Sequence, residues 1–197
     1  KAFCSLSMRW SDLAATHPAR RYILRHGVQH LLGEKKWSEV YSLLTDISYL
    51  ESKTDADLIF DLSDELLKSS QDCPLNDERR VLKRLYDALW EKENIRFIAT
   101  NLDDSNGLFS ILWNSCWWDD RVSESKCQTG INIENASKFP YELEDASAAR
   151  LRPILDRWLR HKKEANRNLC WLRAMHRRRP EWGSTMRQHR GAVICAD

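Results

Sequence analysis

Six glycines and five prolines are spread through 197 residues, and this scarcity of chain breakers constrains the fold more than any motif does. A β-sandwich or barrel would need turn signals about every 8–12 residues, many of them glycine or proline. So few breakers favour long helices with short connections. The apolar positions agree with this. Tyr22, Ile23, Val28, Leu31 and Leu32 recur at helical rather than alternating spacing, as do Trp37, Val40, Tyr41 and Leu44. The same holds for Leu58, Ile59, Leu62, Leu66 and Leu67, and for Val81, Leu82, Leu85 and Leu89. The expected fold is all-α, an array of roughly six to eight helices built from helix-turn-helix units.

Local signals place the boundaries. Pro18 suits a first helical turn, where its missing N–H costs nothing, and Gly33 suits the end of that helix. A short third helix follows at Ile47, Tyr49 and Leu50. Thr54 reads as the cap of the next helix, with Asp55 and Asp57 in its first turn. Cys73-Pro74 breaks the pattern and Asn76 restarts it, with the apolar stripe running on to Ile95 or Phe97. A turn at 103–107 precedes a compact apolar helix at Leu108–Trp118. The expected organisation is a helical domain at 1–118, a long loop at 119–146, a basic connecting helix at 147–180, and the start of a β domain at 181–197. The last assignment rests on Gly183, Gly191 and the apolar run Ala192–Ala196. With no Met at the start and a strand-like run at the end, the chain reads as a piece of a longer polypeptide.

Composition sets the class. Hydrophobic residues at 42% and charged residues at 30% suit a globular chain rather than a disordered one. No apolar run reaches the roughly 18–20 residues that span a bilayer, and no secretory segment opens the chain. No membrane partner and a cytoplasmic location are therefore expected. The six cysteines, at 4, 73, 116, 127, 170 and 195, form no C-x-x-C and read as buried thiols of a reducing compartment.

Motifs that would carry catalysis are missing from the sequence. There is no phosphate-binding glycine loop, no H-E-x-x-H and no G-x-S-x-G. His26 and His30 share a helix face at i, i+4, but two ligands are too few for a metal site and no acid or thiol completes a set nearby. Packing against a neighbouring helix is the expected role of both rings. Cys116 lacks a histidine or cation in its local sequence to activate a thiolate. Catalytic, cofactor-binding and metal-ligating residues are thus expected to be absent from this chain. Trp117 and Trp118 are candidate anchors for a neighbouring domain, and Arg177, Arg178 and Arg179 a candidate contact near the end of the basic helix. Thirteen lysines and arginines face three acids between 150 and 190. That excess leaves open a second reading, a nucleic-acid-binding module using the 150–179 helix.

The run YILRHGVQHLLGEKKWSEVYSLLTDISYLESK (22–53) resembles the helical domain that follows the nucleotide-binding core in STAND-class signalling NTPases. That class contains the animal apoptotic protease-activating factor and bacterial proteins ending in WD-repeat propellers. The resemblance rests on Tyr22, His26, His30, Leu31, Trp37, Leu43, Leu44, Asp46, Tyr49, Leu50, Glu51 and Lys53. LFSILWNSCWWDD (108–120) is similar to a segment ahead of the bacterial propellers, and MRQHRGAVICAD (186–197) to the lead into a first blade. The resemblance implies a structural and regulatory domain between an upstream core, which would hold the ATP or ADP, and a downstream sensor. Its implied partners are the neighbouring domains of the same polypeptide and sister protomers of an oligomer.

Overall fold

A computed structural model describes residues 2–91, 94–100, 107–128, 151–166, 169–173 and 192–195. The fold is all-α in its body, with nine α-helices among the described residues. They are α1 (Ala2–Ser7), α2 (Pro18–Gly33), α3 (Trp37–Leu44), α4 (Ile47–Asp55), α5 (Ile59–Asp72), α6 (Asn76–Trp90), α7 (Asn94–Thr100), α8 (Gly107–Gln128) and α9 (Arg152–Ala165). Two four-residue strands, β1 (Cys170–Arg173) and β2 (Ala192–Cys195), pair antiparallel with Cys170 opposite Cys195.

Helix α2 starts as its sequence directs. Pro18 occupies the first turn, and the His17 Nδ1 accepts the Ala19 N–H at 3.1 Å. Its end differs from expectation. Gly33 is the last helical residue, and the left-handed position falls two residues later on Lys35, at φ 56°. There the Lys36 N–H reaches Leu31 O and the Lys35 N–H reaches Leu32 O, both at 3.0 Å, in a Schellman closure. Asp57, at φ 59°, closes α4 the same way: Leu58 N–H to Lys53 O and Asp57 N–H to Thr54 O, both at 2.9 Å.

That second closure corrects the expected cap. Thr54 belongs to the last turn of α4, its hydroxyl donating back to Leu50 O at 3.0 Å, and α5 begins at Ile59 after Leu58. A threonine bonded to the carbonyl four residues back and a threonine cap look alike in sequence, because both precede a helix break. The expected 76–97 helix is also two helices. Asn94 opens α7 and donates its side-chain amide to Ala88 O at 2.8 Å, serving the end of α6.

Two domain boundaries move. Helix α8 runs on through Asp119 to Gln128, where a loop was expected. That stretch holds only Val122 and Cys127 as apolar residues, so hydrophobic periodicity gives no sign of it, and it continues a helix already nucleated by an apolar face. The remainder of the expected loop, 129–146, lies outside the described residues. Helix α9 stops at Ala165, with Asn166 extended at φ −140°, and Cys170–Arg173 is strand rather than helix. The core is continuous from Cys4 and Trp10, through Leu31, Tyr49, Leu66 and Leu85, to Phe109, Leu155 and Trp158. Helix α1 approaches α2 closely at Gly27, where an added Cβ would lie 3.1 Å from Ser7 Oγ.

Candidate interaction site

Helix α4 is the joint of the molecule. Its sequence ISYLESKTD holds Ile47, Tyr49, Leu50, Lys53 and Thr54 buried, so its polar residues also face other elements. Asp46 caps it, Oδ1 accepting the Ser48 N–H at 3.0 Å. From Ser48 to Lys53, successive residues point about 100° apart, so neighbours serve different sides while residues three apart share one.

Tyr49 packs edge-on against Trp10, with ring centroids 5.5 Å apart, and donates its hydroxyl to Leu24 O at 3.5 Å. Ser52 Oγ accepts from the Arg20 guanidinium at 3.4 Å; the same guanidinium lies 5.1 Å from the Trp10 ring centroid and donates to Leu13 O at 2.8 Å. Leu50 fills the core.

Glu51 and Lys53 stand two residues apart, so they point about 200° apart around the helix and serve opposite sides. Lys53, with no exposed surface, pairs with Glu65 of α5, itself 4% exposed. Burial pushes the Glu65 carboxyl up to about 7, opposed by the Lys53 ammonium, and the same burial pushes Lys53 down. Glu65 Oε1 and Ser69 Oγ, one turn on, are buried without a hydrogen-bond partner among the described residues. The half-satisfied carboxylate adds to the cost of its charge. Tyr49, beside the pair, is raised well above its ordinary value by burial and by Glu65.

Glu51 faces the other way, toward α9. The Lys162 ammonium lies 2.6 Å from Glu51 Oε1. Burial raises the Glu51 carboxyl to about 7 against the pull of Lys162, with Asp55 and Asp46 adding to the rise. One turn earlier, Ser48 Oγ and His161 Nε2 lie 2.8 Å apart. At the α3–α4 turn, the Thr45 carbonyl, left over after α3 ends, accepts from Trp158 Nε1 at 2.8 Å and from the Arg157 guanidinium at 2.9 Å. Leu151, Leu155 and Trp158 are buried beneath these polar contacts. Helix α9 is thus held by an apolar stripe and by paired charges together.

The residues singled out in the sequence fall around this joint. Trp117 is half-buried on α8, stacked on Trp113 with centroids 4.7 Å apart, and the Arg152 guanidinium lies 4.6 Å from its centroid. It anchors the start of α9 to α8. Trp118 lies in α8, but its side chain is outside the described residues, as are Arg177, Arg178 and Arg179 entirely. His30 meets α1 by stacking on Phe3 with centroids 5.2 Å apart and bonds Tyr22 Oη at 3.1 Å, while His26 packs on Tyr22 at 4.9 Å. His30 thus packs against a neighbouring helix as expected, while the ring contact of His26 is with Tyr22 of its own helix. Cys116 is fully buried in the core. Among the described residues no group of three or more His, Cys, Asp or Glu could hold a metal ion, and no helix is long and apolar enough to cross a membrane.

The joint itself was missed in the sequence, where α4 read as a short apolar helix. Its signal was the string YLESK, in which Glu51 and Lys53 stand among apolar residues of the stripe. No family model, curated protein or solved structure matches the chain.

Proposed function

We propose that this chain is a non-catalytic helical coupling domain of a STAND-type signalling ATPase, transmitting the state of a C-terminal sensor to an upstream nucleotide-binding core. The observation that supports this most is the α4 joint. A coupling domain must carry displacement without bending, and α4 ties α2, α5 and α9 together through Arg20, Glu65 and Lys162. The segment resembling the STAND helical domain ends on that joint: Tyr49, Leu50, Glu51 and Lys53 are among its matched residues, and each has a distinct packing role. ATP or ADP would bind in the upstream core, and sister protomers would associate when the sensor releases it.

The disposition of the basic residues on α9 favours coupling over nucleic-acid binding. Arg152 covers Trp117, Arg157 serves Thr45 and Lys162 pairs with Glu51, so three of its cations are engaged within the fold. A phosphate backbone needs such charges turned outward. In the full-length protein, Glu51→Ala with Lys162→Ala should change nucleotide-dependent self-association measured by light scattering. Alanines at Arg177, Arg178 and Arg179 should do the same. Unchanged association in both variants would count against the proposal, and a salt-dependent gel shift with duplex or single-stranded nucleic acid would replace it.

A further inference from the structure

Helices α2 and α5 run side by side in the same direction. Arg25 Nε, midway along α2, lies 3.6 Å from Asp61 Oδ2 near the start of α5, and toward their ends Gln29, Leu32, Gly33, Lys68 and Asp72 come together. With Lys35 and Trp37 these residues enclose an open depression of about 340 Å3, within the range of ligand-binding clefts.

Three features give the depression a character. Its floor is apolar, formed by the half-buried Leu32 and Trp37. Its wall opens at Gly33, where an added Cβ would meet no atom within 4 Å, so a partner's side chain can lie against the backbone there. Its rim carries Lys35 and Lys68 against a single acid, Asp72, and neither lysine has an ion-pair partner among the described residues. The Schellman closure fixes the backbone at Lys35 and Lys36, just before Trp37 opens α3, so the chain around the floor is ordered before anything binds.

We propose that this groove docks an acidic, leucine-bearing helix of a partner protein, with a leucine over Leu32 and Trp37 and carboxylates against Lys35 and Lys68. A short amphipathic helix supplies this chemistry, since its i and i+3 or i+4 positions present an aliphatic and an acidic group together. Lysine rims on an apolar floor select for acidic over basic partners through like-charge exclusion. The proposal is independent of the coupling role, because the groove lies outside the α4–α9 contacts.

The probe is a fluorescein-labelled, end-blocked peptide alternating leucine pairs with glutamates, titrated with the 197-residue chain and read by anisotropy. A twin with lysines in place of the glutamates is the control. The acidic peptide should bind with a dissociation constant of about 100 µM or tighter, and the basic twin at least about tenfold more weakly. Gly33→Leu places its Cβ where no atom lies within 4 Å and its branched end into the groove, so the chain should keep its circular dichroism and melting temperature while losing at least about tenfold in affinity. Lys35→Glu with Lys68→Glu should reverse the preference between the two peptides. Equal binding of both peptides, undiminished binding to a folded Gly33→Leu chain, or no binding of the acidic peptide at millimolar protein would each overturn the proposal.

Discussion

Lys53 and Glu65 form an ion pair that solvent does not reach, and the two groups depend on each other for their charge. Lys53→Met leaves an uncompensated carboxylate in the core and should cost about 3–5 kcal/mol at about pH 8. The cost should shrink at about pH 5, where the Glu65 carboxyl, raised to about 7, takes up a proton. Lys53→Met with Glu65→Leu should recover most of the loss, because a matched apolar pair needs no counterion. Urea unfolding at both pH values measures all of this. At the helix ends, Asp57 sits at φ 59°, a conformation costing a non-glycine residue about 1–2 kcal/mol. Asp57→Gly should therefore stabilise the chain by up to about 1 kcal/mol in the same assay. Neither left-handed position was legible in the sequence, where Gly33 stood as the obvious terminator. Schellman closure depends on where the next helix must start, and the lysine and aspartate accept strain to meet it.

At the scale of elements, the legible part was what periodicity encodes. The apolar face of α6 stood at the expected Val81, Leu82, Leu85 and Leu89, since a helix buried on one side writes its period into the chain. In α2 and α3 the burial centres on Ile23, Val28, Leu31, Val40 and Leu44, while the expected Tyr22 is exposed. Helix α4 escaped because its buried residues include the charged Lys53 beside its apolar positions, and the far end of α8 because its sequence there holds too few apolar residues to show a period. The contacts of Glu51 and Arg157 escaped for another reason: their partners lie more than a hundred residues away and depend on how α9 folds back. The pH response of the α4–α9 contact follows from Glu51. Its folded carboxyl titrates near 7 against an ordinary 4.5, so the folded chain holds the extra proton between those values. Its contribution to stability is then greatest below about pH 4.5 and is lost as pH rises through about 7. Glu51→Gln should flatten the pH dependence of the melting temperature between about pH 5 and pH 8. Trp158→Phe, which keeps the ring buried but removes the donor to Thr45 O, should cost about 1 kcal/mol.

Across the whole molecule the coupling proposal requires that α9 and the α2–α6 array behave as one body. The large apolar residues of α9 are buried in the same continuous core as those of α2 and α5, and the Lys162–Glu51 ion pair with the hydrogen bonds from Arg157 and Trp158 to the Thr45 carbonyl fixes its position on that core. Such an arrangement opens as a unit, so its amides should share one free energy of exposure. Hydrogen–deuterium exchange of the 197-residue chain tests this directly, by comparing amides of Arg152–Ala165 with those of Ile47–Asp55 and Ile59–Asp72. Equal opening free energies in all three helices are expected, with Glu51→Ala plus Arg157→Ala lowering the value for α9 selectively. Separate, lower-energy opening of α9 in the unmodified chain would contradict a rigid joint at α4.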